Sequence, residues 1–231
     1  MPICNNCGNE GPGNYCSECG KHYVVTRVTI SSMLHEVSHI FTHFEHGFIY
    51  TFRALLKTPG LMQQGYINGH RTKHQKPFSM FFVAATLAAL TIYYTTKTTL
   101  GSGHEAEAVT HFTKHYYVIL QTLLLPFYAF LTWVLFRSTE FNYAESLVLI
   151  LYTLAFVLLL MIPVNLVNLI PHHIETTFIE VPVMAFYFII TNTKFFNTKN
   201  KLVTIGKTLL VLLTGFIVFQ WIANLVISRW M

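Results

Sequence analysis

The chain reads as an all-α membrane protein, a five-helix transmembrane bundle with an N-terminal zinc ribbon and a cytosolic amphipathic helix. Three observations point there. All four cysteines stand in two short pairs near the start, Cys4-Asn-Asn-Cys7 and Cys16-Ser-Glu-Cys19. The remainder is apolar, with 53% hydrophobic and only 11% charged residues in the whole chain, far from the balance of a soluble domain. Five stretches, near 78–97, 116–136, 146–170, 178–194 and 208–228, approach the roughly 20 residues that a helix needs to cross a bilayer.

The cysteine pairs come first. Four thiolates at this spacing, with none left over, match a closed structural site for one zinc ion, and Gly8 and Gly20 after each pair suit the tight turn such a site requires. Two disulfides are the competing reading, but residues 1–25 lack the basic start and apolar run of an export signal, which favours a reduced, cytosolic ribbon. Metal binding would supply the folding energy that so short a segment cannot draw from a core.

Residues 26–77 follow as an amphipathic helix and a basic segment. Ser31 or Ser32 can cap a helix running to Pro59-Gly60. At about 100° per residue, His35, His39, His43, His46, Arg53 and Lys57 fall on one stripe. Met33, Val37, Phe41, Phe44, Phe48, Phe52 and Leu55 lie opposite, so the helix is expected along the inner membrane surface or against the floor of the bundle. The stripe has three readings: a second metal site, a surface for phosphate or an acidic partner, or a solvated polar face. His35-Glu36-Val37-Ser38-His39 also spells the His-Glu-x-x-His pattern of zinc proteases, without a well-placed third ligand. Next, Arg71, Lys73 and Lys76 precede the first span, where they can anchor the inner interface or hold a phosphate or lipid headgroup.

Residues 78–231 hold the five spans. The stretches from Tyr116 to Phe136 and from Ser146 to Ile170 contain no Asp, Glu, Lys or Arg; the fourth span is interrupted early by Glu180 and Pro182. Cytoplasmic loops retain positive charge. With the N-terminus inside, the inner side holds Arg53, Lys57, Arg71, Lys73, Lys76, Arg137, Lys194, Lys199, Lys201 and Lys207, against Lys97, Lys114 and Arg229 outside. Charge bias and thiol chemistry therefore agree on a cytoplasmic N-terminus and an outer C-terminus. The net charge of +5 follows from this topology, so no nucleic-acid partner is expected.

Polar residues mark the outer half of the spans: Gln121, Asn165, Asn168, Gln220 and Asn224. Such residues either join helices by hydrogen bonds or line a cavity for a ligand or ion. The outer loops add His104, Glu105, Glu107, His111, His115, His172, His173, Glu175 and Glu180, a chemically plausible metal set.

Thr51, Arg53, Pro59-Gly60, Tyr66-Ile67-x-Gly69-x-Arg71 and Pro77-Phe78, placed between a zinc ribbon and several spans, resemble an uncharacterised bacterial family of zinc-ribbon membrane proteins known only as a domain of unknown function. The resemblance covers the ribbon and about residues 44–80, and the later spans in hydropathy alone. Where that family often has Lys before the arginine and an aromatic after it, this chain has His70 and His74. The resemblance implies a bacterial inner membrane and supplies no reaction.

The leading expectation is a noncatalytic membrane protein whose ribbon and amphipathic helix bind a protein partner or organise a complex, with membrane lipid and a second copy as further partners. A transport component using the outer polar residues is the first alternative. A metal-dependent enzyme using His35, Glu36 and His39 is the second.

Overall fold

The computed structural model describes residues 1–4, 7–20, 22–24, 27–33, 47–100, 108–167 and 177–230, with the side chains of 98–100, 108–117, 177 and 227–230 left aside. Seven helices are named among the described residues. Two short ones, α1 (Phe48–Lys57) and α2 (Leu61–Ile67), precede five long ones: α3 (Pro77–Leu100), α4 (Ala108–Leu135), α5 (Tyr143–Val167), α6 (Thr177–Phe196) and α7 (Lys201–Trp230). All five long helices are long and apolar enough to cross a membrane. Their apolar windows are Pro77–Lys97, Val118–Leu135, Tyr143–Val167, Phe178–Phe196 and Lys201–Val226; the first four lie within three residues of the expected spans, and the fifth starts seven residues before the expected 208. No strand is present among the described residues; the only β pairing there is two isolated bridges in the ribbon, Ile3 with Glu10 and Tyr15 with His22.

The core sits on α5. Every residue from Ala144 to Leu158 is buried, because this helix packs against α3, α4 and α6 and receives α1 and α2 as well. Such a helix needs no polar face, and its sequence has none over that run apart from Glu145, Ser146 and Thr153. The outer helices show the opposite: α7 exposes Leu209, Leu210, Leu213, Phe216, Ile217 and Trp221, as a lipid-facing surface would. Where α7 meets α4, Gly215 lets the Tyr128 ring in; a Cβ there would stand 2.0 Å from the ring.

The short connections 136–142 and 197–200 gather one end of the bundle. The Phe136 and Phe196 rings stack at 3.8 Å, with the Lys207 ammonium over Phe136. The start of α3, the end of α4, the start of α5, the end of α6 and the start of α7 thus share the ribbon side.

The segment before the first long helix differs from the single helix expected to run from Ser31 or Ser32 to Pro59. Thr29 is the cap: its hydroxyl accepts from the Ser32 amide at 3.3 Å, while the Ser32 hydroxyl accepts from the Thr29 amide at 3.1 Å. Residues 34–46 lie outside the described residues, and α1 begins after Gly47, which stands at its N-cap. The chain then turns at Gly60, with φ of 80° and ψ of −53°, into α2. A short helix between Pro59-Gly60 and a basic run is weakly marked in sequence, yet α2 is firmly packed. The Tyr187 hydroxyl donates to the Leu55 carbonyl at 3.2 Å, the Tyr152 hydroxyl donates to the Gln75 carbonyl, and the Gln64 amide donates to the Phe195 carbonyl. Phe52 reaches Phe156, and Tyr66 meets Tyr152 edge-on. The α1–α2 hairpin is therefore built onto the ribbon-side portions of α5 and α6.

Candidate metal centre

Two turns make the cysteine site. In each pair the glycine amide one residue past the second cysteine donates to the carbonyl of the first: Gly8 to Cys4 at 2.8 Å, and Gly20 to Cys16 at 2.8 Å. Both glycines have positive φ, 78° and 68°, which folds the chain back beneath the sulfurs. The bridges Ile3–Glu10 and Tyr15–His22 then hold the two turns face to face.

The result is a compact set of four thiols. All four sulfurs lie within 4.8 Å of one another. Cys4 and Cys19 are 3.5 Å apart, Cys7 and Cys16 3.5 Å, and Cys7 and Cys19 3.6 Å. A tetrahedral ion held by thiolates at about 2.3 Å requires sulfur separations of about 3.8 Å, so these positions need only a small expansion to close around a metal. None of the four is in a disulfide. The arrangement can hold a metal ion with protein ligands in all four positions.

The backbone also tunes the thiols. The amides of Cys19 and, less strongly, Glu18 point at the Cys16 sulfur and hold it down at about 6. The Asn9 amide acts likewise on Cys7, but hydrogen bonding to Cys16, desolvation and the Cys19 and Cys4 thiols outweigh it and push Cys7 up to about 12. Without metal, neighbouring sulfurs cannot all carry charge together; a divalent ion removes that conflict. A bound ion takes the thiols as thiolates, so metal uptake should release protons, and retention of the ion against a chelator should weaken as the pH falls. Retention that is indifferent to pH would contradict this arrangement.

The chain just past the ribbon is anchored to the bundle by residues that the sequence reading missed. The Arg27 guanidinium forks onto the Glu145 carboxylate, Nε to Oε1 at 2.8 Å and Nη2 to Oε2 at 3.0 Å, and also donates to the Glu140 carbonyl. Glu145 in turn belongs to a capping box at the start of α5: its Oε2 accepts from the Asn142 amide at 2.8 Å, and Asn142 Oδ1 accepts from the Glu145 amide at 2.8 Å. The Asn142 side-chain amide donates to the Val28 carbonyl at 3.1 Å. The signature Asn-x-x-Glu ahead of an apolar run was readable, although its partner Arg27 was not. Among the described residues this is the one ion pair, with Glu145 only 4% exposed and Arg27 58% exposed.

Arg27→Gln should lower the thermal midpoint modestly, because water already screens the arginine, and Glu145→Ala should lower it further, since the cap is lost as well. Thermal unfolding in detergent checks the order; equal and negligible effects would overturn it.

The other candidate residues are dispersed. His35, Glu36, His39, His43 and His46 lie outside the described residues, as do His104, Glu105, Glu107, Asn168, His172, His173 and Glu175; the side chains of His111 and His115 are likewise outside them. Arg53 and Lys57 are exposed on α1, opposite the buried Thr51 and Leu55. Arg71 is turned back onto α2, where Nε donates to the Tyr66 carbonyl at 3.0 Å and Nη2 to the Ile67 carbonyl at 3.3 Å, closing the end of that helix. Lys73 is exposed and Lys76 half-buried. In the outer half, Gln121 is buried, Asn165 donates to the Met161 carbonyl of its own helix, Gln220 is half-buried and Asn224 is exposed. A buried polar contact between helices instead lies toward the ribbon side, where Asn192 of α6 donates to Thr208 of α7 at 3.1 Å.

A family profile described as a protein of unknown function, DUF3667, matches residues 45–89, a minority of the chain that carries α1, α2 and the first half of α3. No curated protein and no solved structure matches the chain.

Proposed function

We propose that the four cysteines hold one structural zinc ion and that the chain is a noncatalytic protein of a bacterial inner membrane, its ribbon a cytosolic docking module for a protein partner. The observation that carries this reading is the closed four-sulfur cluster, which stands a few residues before the Arg27–Glu145 anchor to the bundle. All four ligand positions are filled by protein, which leaves the metal a folding role in place of a chemical one. Thiolates favour zinc over harder divalent ions. The ribbon turns Ile3, Tyr15 and Val24 outward, and its small core leaves these apolar side chains available for contact. The inner side follows from the basic residues that cluster with the ribbon at one end of the bundle.

A photocrosslinking residue placed at Tyr15 or Val24 of the membrane-embedded protein should give a discrete protein adduct that disappears on zinc removal. The same residue at Leu213, on the exposed face of α7, should not. Adducts indifferent to zinc, or equal from all three positions, would sink the docking role while leaving the zinc assignment to be decided by metal analysis.

A further inference from the structure

The outward surface of the α1–α2 hairpin combines positive charge with apolar side chains. On α1, at about 100° per residue, Ile49, Tyr50, Arg53, Leu56 and Lys57 share an arc of about 120°. All five are exposed. Leu61, at the start of α2, extends the apolar part of this surface. Thr51 and Leu55 occupy the other side and are buried.

A third cation comes from α6. Gly60 packs so closely on that helix that a Cβ there would stand 2.5 Å from the Thr191 carbonyl oxygen and 2.8 Å from the Lys194 Cβ. Gly60 follows Lys57 by three residues, and Lys194 is exposed. Packing of the hairpin therefore sets Lys194 beside the turn that follows Lys57, with Arg53 one helical turn before Lys57 on the same exposed face. The hairpin is pinned by Tyr187 to the Leu55 carbonyl and by Gln64 to the Phe195 carbonyl. Among the described residues none of the three has a carboxylate in ion-pair range.

We propose that Arg53, Lys57 and Lys194 bind the headgroup phosphate of an anionic phospholipid in the leaflet on the ribbon side. A guanidinium and two ammonium groups supply the charge and donors that a phosphate diester accepts. Ile49, Tyr50, Leu56 and Leu61 reach the region where headgroups give way to acyl chains. Free phosphate would satisfy the cations and leave those four side chains in water, which is why the lipid is the occupant.

The test is native mass spectrometry of the full chain in detergent, titrated with short-chain phosphatidylglycerol, short-chain phosphatidylcholine or inorganic phosphate. Wild type should retain phosphatidylglycerol in preference to phosphatidylcholine. R53Q, K57Q and K194Q should each reduce that preference about fivefold, and the triple variant should abolish it. K199Q/K201Q removes two exposed cations from the same end of the bundle and should leave the preference intact. Unchanged preference in the single variants, or equal loss in K199Q/K201Q, overturns the proposal. So does inorganic phosphate that displaces the lipid with the same dependence on the three cations, which would make this a free-phosphate site. Where the triple variant loses its thermal transition, the single variants and the charge-preserving R53K/K57R, which should keep the preference, decide the matter.

Discussion

Replacing Cys16 by serine will empty the metal site and unfold the ribbon, while the helical bundle stays intact. Structural zinc sites bind with apparent energies of about 10–16 kcal/mol near neutral pH, and in so small a unit that energy is the folding energy. The ribbon has little else: its buried cluster consists of Cys4, Cys16 and Tyr23. Bulk metal analysis should read one ion per chain in the wild type and none in the variant. Limited proteolysis should open residues 1–25 in the variant, with far-ultraviolet helicity nearly unchanged. Retention of one equivalent after the substitution would show that the ion sits elsewhere and would return the histidine-rich segment around His35 and His39 to consideration.

Gly60→Ala should destabilise the protein by about 3 kcal/mol or more, combining a backbone penalty of about 1–3 kcal/mol with an overpacking penalty of similar size. Both arise at the same atom. With φ of 80° the position is hostile to any Cβ, and the added methyl would meet backbone, the Thr191 oxygen at 2.5 Å and the Phe195 nitrogen at 2.7 Å. These atoms belong to the buried last turns of α6, whose backbone has little room to retreat. Gly65→Ala is the matched control: Gly65 lies inside α2, has ordinary negative φ, and its added Cβ would meet nothing within 4 Å. That change should be neutral or stabilise by up to about 1 kcal/mol. Thermal unfolding of both in one detergent decides it; equal midpoints would mean that the hairpin does not depend on its contact with α6.

Much of this architecture was legible in the sequence, for reasons that differ from element to element. The long helices were readable because an uncharged apolar run has few other fates, and the cysteine site because its ligands are local, fifteen residues from Cys4 to Cys19. The hairpin was readable only in its amphipathic half. The α2 helix, seven residues long with Gly65 inside it, carries almost no periodic signal. Its buried polar residues imitate a loop. Gln63, fully buried, accepts from the Gly60 amide at 2.7 Å, and Thr51 accepts from the Gln75 amide at 2.8 Å. Such pairings are tertiary facts that composition cannot carry. Arg71 has a role that its place ahead of a span did not announce: its guanidinium closes the end of α2.

The socket at the start of α5 also sets an order of events in synthesis. The ribbon leaves the ribosome first, but Glu145 follows Arg27 by 118 residues. At about 5–20 residues per second, that interval lasts on the order of ten seconds, during which two helices must enter the membrane before the central one exists. A metal-loaded ribbon is then a finished piece waiting for its mount. The contact that anchors the chain behind it cannot form until residue 145 has been made, and its arrival marks the moment at which the third long helix has acquired its proper first turn.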